Sequence, residues 1–202
     1  LDEAIRRLNL YGEAGADLLE QLLNVEAMPE AARRLILSKA EGNPFFLEEV
    51  LRSLIEVGRI LLAGSRAVVA GPIGQLEVPD TLQGVIAARI DRLPLEDKHT
   101  LQLASVVGRV FQQPVLSHLY GQEPANETLE SKLSSLLQRE MIRPRTETEF
   151  IFKHAVTHEV TYNSLLLARR KELHAATAEA IEALFPDQTD ELAATLAYHY
   201  LR

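Results

Sequence analysis

Met141-Ile142-Arg143-Pro144 and Phe150-Ile151-Phe152 are two short extended runs flanking the polar Thr146-Glu147-Thr148. Apolar runs bounded by turn-forming residues read as a β-hairpin. What precedes the hairpin decides the fold. Apolar residues recur at spacings of three and four in Leu101, Ala104 and Val107 after Pro94, in a shorter segment from Pro114 to Tyr120 that stops at Gly121, and in Leu129, Leu133, Leu136 and Leu137 within Asn126–Glu140. Three helices followed by a hairpin are the order of a winged helix, a relative of the helix-turn-helix. The spacing therefore predicts a winged-helix domain over 79–154.

Working outward, residues 1–58 read as a helical bundle. Asp17–Asn24 carries Leu18, Leu19, Leu22 and Leu23, Pro29 opens a helix that runs through Leu35, Ile36 and Lys39 to Gly42, and Asn43-Pro44 start another that ends at Gly58. On the last of these, Phe46, Leu47, Val50, Leu51, Leu54 and Ile55 share one side. Residues 59–78 are β-branched and punctuated by Gly and Pro, predicting a hairpin and linker. Pro79-Asp80-Thr81 then begins a helix, with Asp80 or Thr81 as its cap, and Leu82, Val85, Ile86, Ile90 and Leu93 form its stripe. Residues 155–202 carry three amphipathic segments, Ala155–Ala168, Arg170–Leu184 and Asp190–Leu201. The predicted fold class is mainly α: a helical bundle, a winged helix with short β-hairpins, and antiparallel helix pairs.

The chain has 202 residues and a net charge of −8, from 21 Lys plus Arg and 29 Asp plus Glu. The excess is spread over both halves, which argues against a surface built to grip phosphate backbones. No cysteine is present, which excludes thiol catalysis, thiolate zinc sites and disulfides. No apolar run approaches the ~20 residues of a membrane span, and no segment has the order of a signal peptide. The expectation is a cytoplasmic protein with no membrane partner. Since the pattern is already running at Leu1 and still running at Arg202, the chain reads as an excerpt of a longer protein.

Neither glycine-rich phosphate cradle occurs, nor a nucleophile elbow, nor a zinc-protease helix motif. No catalytic residue is predicted, and the chain alone is not expected to be an enzyme. His154 and His158 stand four apart beside Glu159, a spacing that would suit a metal if both lay on one helix. His154 closes a strand, however, so it belongs to a junction and no metal is expected. For a DNA-binding reading, the contacts would be Lys132 and Arg139 on the candidate recognition helix and Arg143 and Arg145 in the hairpin. Glu127, Glu130 and Glu140 oppose them, so a winged helix that faces protein is favoured. Arg169-Arg170-Lys171 reads as a solvated helix end. The open-ended helix pairs also fit a scaffold that takes a partner peptide.

Four stretches, Glu41-Gly42-Asn43-Pro44-Phe45-Phe46-Leu47-Glu48-Glu49, Val78–Leu93, Phe150–Ala155 and Arg169–His174, together resemble the second half of AAA/STAND-type ATPase modules. The likeness runs over nearly the whole chain in the same order. Modules of this family occur in multidomain bacterial signalling proteins, joined to nucleotide cyclase, LuxR-type DNA-binding or kinase domains and followed by TPR-like repeats. The resemblance implies that 1–58 is a helical lid and that a P-loop domain precedes Leu1 in the parent. It implies ATP or ADP with Mg in the parent and none in this segment. Partners would then be the P-loop domain, an effector and the TPR-like region, without nucleic acid. Gly42-Asn43-Pro44 corresponds to the lid motif whose proline lies against adenine, with free backbone N–H groups nearby. His154 corresponds to the winged-helix histidine that touches the phosphates, although Lys153 and Ala155 replace the flanking Met and Asp of that motif.

Overall fold

The computed structural model describes residues 28–40, 42–63, 66–72, 79–121 and 128–202. The helix expected over Asp17–Asn24, the turn at Gly64-Ser65, and the first residues of the helix expected from Asn126 lie outside the described residues. The fold is mainly α, with two small antiparallel sheets among the described residues. Two compact units divide between Arg89 and Ile90.

In the first unit, α1 (Glu30–Ala40) starts directly after Pro29, with Glu30 in its first turn and Lys39 in its last, as the helix dipole favours. Helix α2 (Pro44–Glu56) buries Phe46, Leu47, Val50, Leu51 and Leu54. Ile55 does not join them; it is 37% exposed, because the buried arc is turned toward Glu49 and Ser53 instead. The end of α2 is a left-handed cap. Gly58 takes φ +69, its N–H donates to the Ile55 carbonyl, and the Arg59 N–H donates to the Leu54 carbonyl. That reversal feeds β1 (Ile60–Ala63), which pairs with β2 (Arg66–Val69) in the register Ile60↔Val69 and Leu62↔Ala67. Ile60 and Ala67 enter the α1–α2 core with Val85 of α3 (Leu82–Asp91). Thr81 supplies the start of α3, its hydroxyl accepting the Gly84 N–H at 3.1 Å.

The second unit runs α4 (Leu95–Val107), β3 (Val110–Gln112), α5 (Gln113–Gly121), α6 (Leu129–Gln138), β4 (Ile142–Pro144) and β5 (Glu149–Phe152). Helix–strand–helix–helix–strand–strand is the winged-helix order, with one strand more than the sequence predicts. That strand, β3, pairs with β5, so the sheet order is β3-β5-β4. Phe111 fixes it by packing on Phe150 and Phe152, with ring centroids 5.8 and 5.9 Å away. Helix α7 (Ala155–Asn163) packs on α4 and β5, and α8 (Leu167–Leu184) packs on α4, α5 and α9 (Ala193–Tyr200). A 3₁₀ turn, Pro186–Gln188, links the last two. The helix expected to continue to Ala168 ends five residues sooner. Arg170 is the reason: its guanidinium donates to the carbonyls of Asn163 and Leu165, which a continuing helix would need for itself.

Candidate functional site

Gly42, Asn43 and Pro44 lie together at the start of α2. Gly42 has φ +76, which favours glycine, and Asn43 is the N-cap, its side-chain oxygen accepting the N–H groups of Phe45 at 3.0 Å and Phe46 at 3.3 Å. The Asn43 carbonyl takes the Leu47 N–H. The free backbone N–H groups expected beside Pro44 are thus consumed by the helix itself. What the motif presents is the half-buried ring of Pro44, an apolar edge, and not an anion cradle.

The first two resembling stretches meet through a buried ion network. Arg89, 2% exposed, reaches Glu49, also 2% exposed, with one guanidinium nitrogen and holds Glu56 with the other two, at 2.9 and 3.3 Å. A cation shared by two carboxylates in a dry interior locks α2 to α3 in one register. Sequence reading missed it, although the signal was present: Glu49 and Arg89 both fall at helical positions that belong to the apolar face.

Of the residues offered for DNA contact, Lys132 is contradicted by its position. It is 4% exposed, and its ammonium faces the buried carboxylate of Asp97 at 3.4 Å. Ser135 donates to the same carboxylate at 2.5 Å and Arg139 approaches it at 3.7 Å. Helix α6 therefore turns Lys132 inward, onto α4, while Arg139 just past its end keeps a 40% exposed side chain. Arg143 and Arg145 do remain exposed in the hairpin, Arg145 beside Glu149 at 3.7 Å.

His154 is the N-cap residue of α7, with extended backbone, no side-chain capping bond and its Nε2 shielded from solvent. It belongs to the second unit, whereas Gly42, Asn43 and Pro44 belong to the first. His158 lies one turn on, within α7. Its Nε2 donates to the Ser105 carbonyl at 2.9 Å, since a carbonyl only accepts. Burial holds its pKa below the usual histidine value, the nearby Arg109 adding to that effect and the Ser105 bond opposing it. Among the described residues no group of three or more His, Asp or Glu gathers as a metal site.

Beyond His158 the polar column continues through Tyr162, whose hydroxyl is 3.0 Å from His174 Nε2, to His199, whose Nδ1 is 2.8 Å from His174 Nδ1. Both histidines are at most 2% exposed. Neither was singled out in the sequence, because a lone histidine on a helix gives no sign of a partner 25 residues away. A separate pocket of about 210 Å³ in the second unit is lined by Val107, Val110, Val115, Ile181, Phe185 and Leu192 with Gln112, Gln188 and Thr195. It has no charged lining, so it suits an apolar group and not a phosphate.

The profile of a domain of unknown function, DUF8739, matches residues 12–63, which include α1, α2 and β1. No curated protein and no solved structure matches the chain. Among the described residues no helix is long and apolar enough to cross a membrane.

Proposed function

We propose that this chain is the noncatalytic regulatory part of a cytoplasmic STAND-type ATP-dependent signalling protein: a helical lid, a winged helix and the opening of a TPR-like array. In the parent, a P-loop domain holds ATP or ADP with Mg, and this segment closes over the nucleotide and relays its state to an effector such as a nucleotide cyclase or a transcriptional regulator. Hydrolysis then changes the relative stability of closed and open arrangements. Pro44 contributes the apolar edge for the base and His154 a hydrogen bond to the phosphates.

The observation that carries this reading is the burial of Lys132 against Asp97. A recognition helix that reads base edges keeps its cations outward, and α6 turns its one lysine, Lys132, onto α4. A winged helix so arranged is suited to packing against protein. The tight helix start at Asn43-Pro44 and the Glu49–Arg89 link between the first two resembling stretches support the reading as well.

Two measurements test it. In the parent protein, His154→Ala should weaken nucleotide binding roughly tenfold, the worth of one hydrogen bond to a charged group; unchanged affinity, turnover and effector output would remove His154 from the mechanism. The 202-residue chain itself should shift no DNA duplex at low salt. A shift that fades steeply with salt and is lost on replacing Arg143 and Arg145 would install the DNA-binding reading instead.

A further inference from the structure

We infer that His174 and His199 form an acid-labile latch that fastens α9 to α8. The two Nδ1 atoms lie 2.8 Å apart, so one must carry a hydrogen and the other must accept it. If His174 Nδ1–H donates to His199, then His174 Nε2 accepts from the Tyr162 hydroxyl; if the donor is His199, the Tyr162 hydroxyl accepts in turn. Either tautomer satisfies the column with both rings neutral. Two protonated rings do not fit: N–H would face N–H across 2.8 Å in a site sealed from water.

The groups around the pair offer a second proton no compensation. From α7 comes the Tyr162 ring and hydroxyl, and from α8 comes Arg170, stacked over that ring at 4.6 Å. From α9 come Tyr198, with its ring 5.7 Å from His174, and, just past the helix end, Arg202 over Tyr198 at 4.9 Å. The other two helices packed on α8, α4 and α5, bring no charge that acts on either ring among the described residues. Every charge bearing on His174 is positive.

Burial first, and the Arg202 and Arg170 charges next, push the His174 pKa below its usual value, while burial and the neighbouring His174 lower that of His199 to about 4. Folded-state values below the unfolded ~6.5 mean that the latch is at full strength above that pH and is lost as pH falls toward 4. Release is local, because Leu196 and His199 are the buried residues of α9, and a short helix held by so little opens before the core does. Between the unfolded value and the lowered folded-state values, each proton taken up on opening multiplies the opening constant about tenfold per pH unit, and below the folded-state values the dependence levels off.

Hydrogen exchange of the full 202-residue chain from pH 7 to 4, corrected for intrinsic rates, tests the latch. Protection of α9 amides should fall more than tenfold below pH 6 while α4, β3 and β5 stay protected, and His199→Phe should abolish that acid step. Should the Phe variant lose α9 already at pH 7, the imidazole resonances of the unaltered chain decide: His174 and His199 should titrate below 6.5 in coupled steps. Ordinary titration near 6.5, or loss of α9 protection only together with α4, overturns the proposal.

Discussion

Arg89 in the first unit and Asp97 in the second are both buried charges at the centre of an ion cluster, yet the clusters are built in opposite senses. Around Arg89 one cation serves two carboxylates, of which Glu49 is sealed and Glu56 is 27% exposed. Around Asp97 one carboxylate serves Lys132, Arg139 and a serine hydroxyl, with Lys132 sealed and Arg139 40% exposed. Each cluster thus pairs one captive partner with one that reaches water. The lesson is that a buried charge is tolerable where one facing helix fixes its partners around it, α2 for Arg89 and α6 with its cap for Asp97, and that removing the centre strands the captive partner.

The largest effect expected is from Arg89→Met, which leaves Glu49 in the α2–α3 interior without its guanidinium. Denaturant unfolding of the first unit should lose about 4 kcal/mol, in the range for breaking a buried pair. Replacing Glu49 and Arg89 together by Leu should regain most of that loss, since Glu56 can turn to solvent. A double variant no better than the single one would show that the network does more than neutralise itself. Next comes Asp97→Asn, expected to cost about 3 kcal/mol in the second unit, less than Arg89→Met because the Lys132 stem is longer and more adaptable. If Asp97→Asn proved the costlier, the symmetry between the clusters would be broken.

A smaller contrast concerns how α2 and α6 end. Both close with the same pair of backbone bonds, Gly58 to Ile55 and Arg59 to Leu54 in one, Glu140 to Leu137 and Met141 to Leu136 in the other. Gly58 and Glu140 both hold positive φ, +69 and +54. Nothing lies within 4 Å of a Cβ built at Gly58, so Gly58→Ala should cost only the left-handed strain, about 1 kcal/mol by thermal unfolding. Glu140→Gly relieves that strain but gives up the ion pair with Lys153, and its net change should be within about 0.5 kcal/mol. Smallest of all, Arg143→Ala should leave stability unchanged to about 0.5 kcal/mol, because the side chain is exposed, in contrast to Lys132.

How far the sequence reaches depends on whether the determinant is local. Asn43 before Pro44, Thr81 before Leu82, and Gly58 after Val57 are caps whose chemistry acts within four residues, and they were legible. So were the hairpins at Ile60–Val69 and Ile142–Phe152. Strand β3 was not, because Val110-Phe111-Gln112 shows no alternation long enough to read and becomes a strand only by pairing with β5. The early end of α7 was hidden too, since Leu165-Leu166-Leu167 continues an apolar pattern and only Arg170 folding back claims the carbonyls.

For the candidate site the same division holds. Gly42-Asn43-Pro44 and the junction position of His154 were readable, as both are set by neighbours in the chain. The inward turn of Lys132 was not, because a lysine at a helical position reads as solvated until a buried aspartate from another helix is placed beside it. By itself the sequence determined the mainly helical class, the winged-helix order and most of the helix starts, since periodicity and capping are local properties. Tertiary packing alone decided where the charges and histidines go, since desolvation and pairing act between elements, as Arg89 with Glu49 and His174 with His199 make plain.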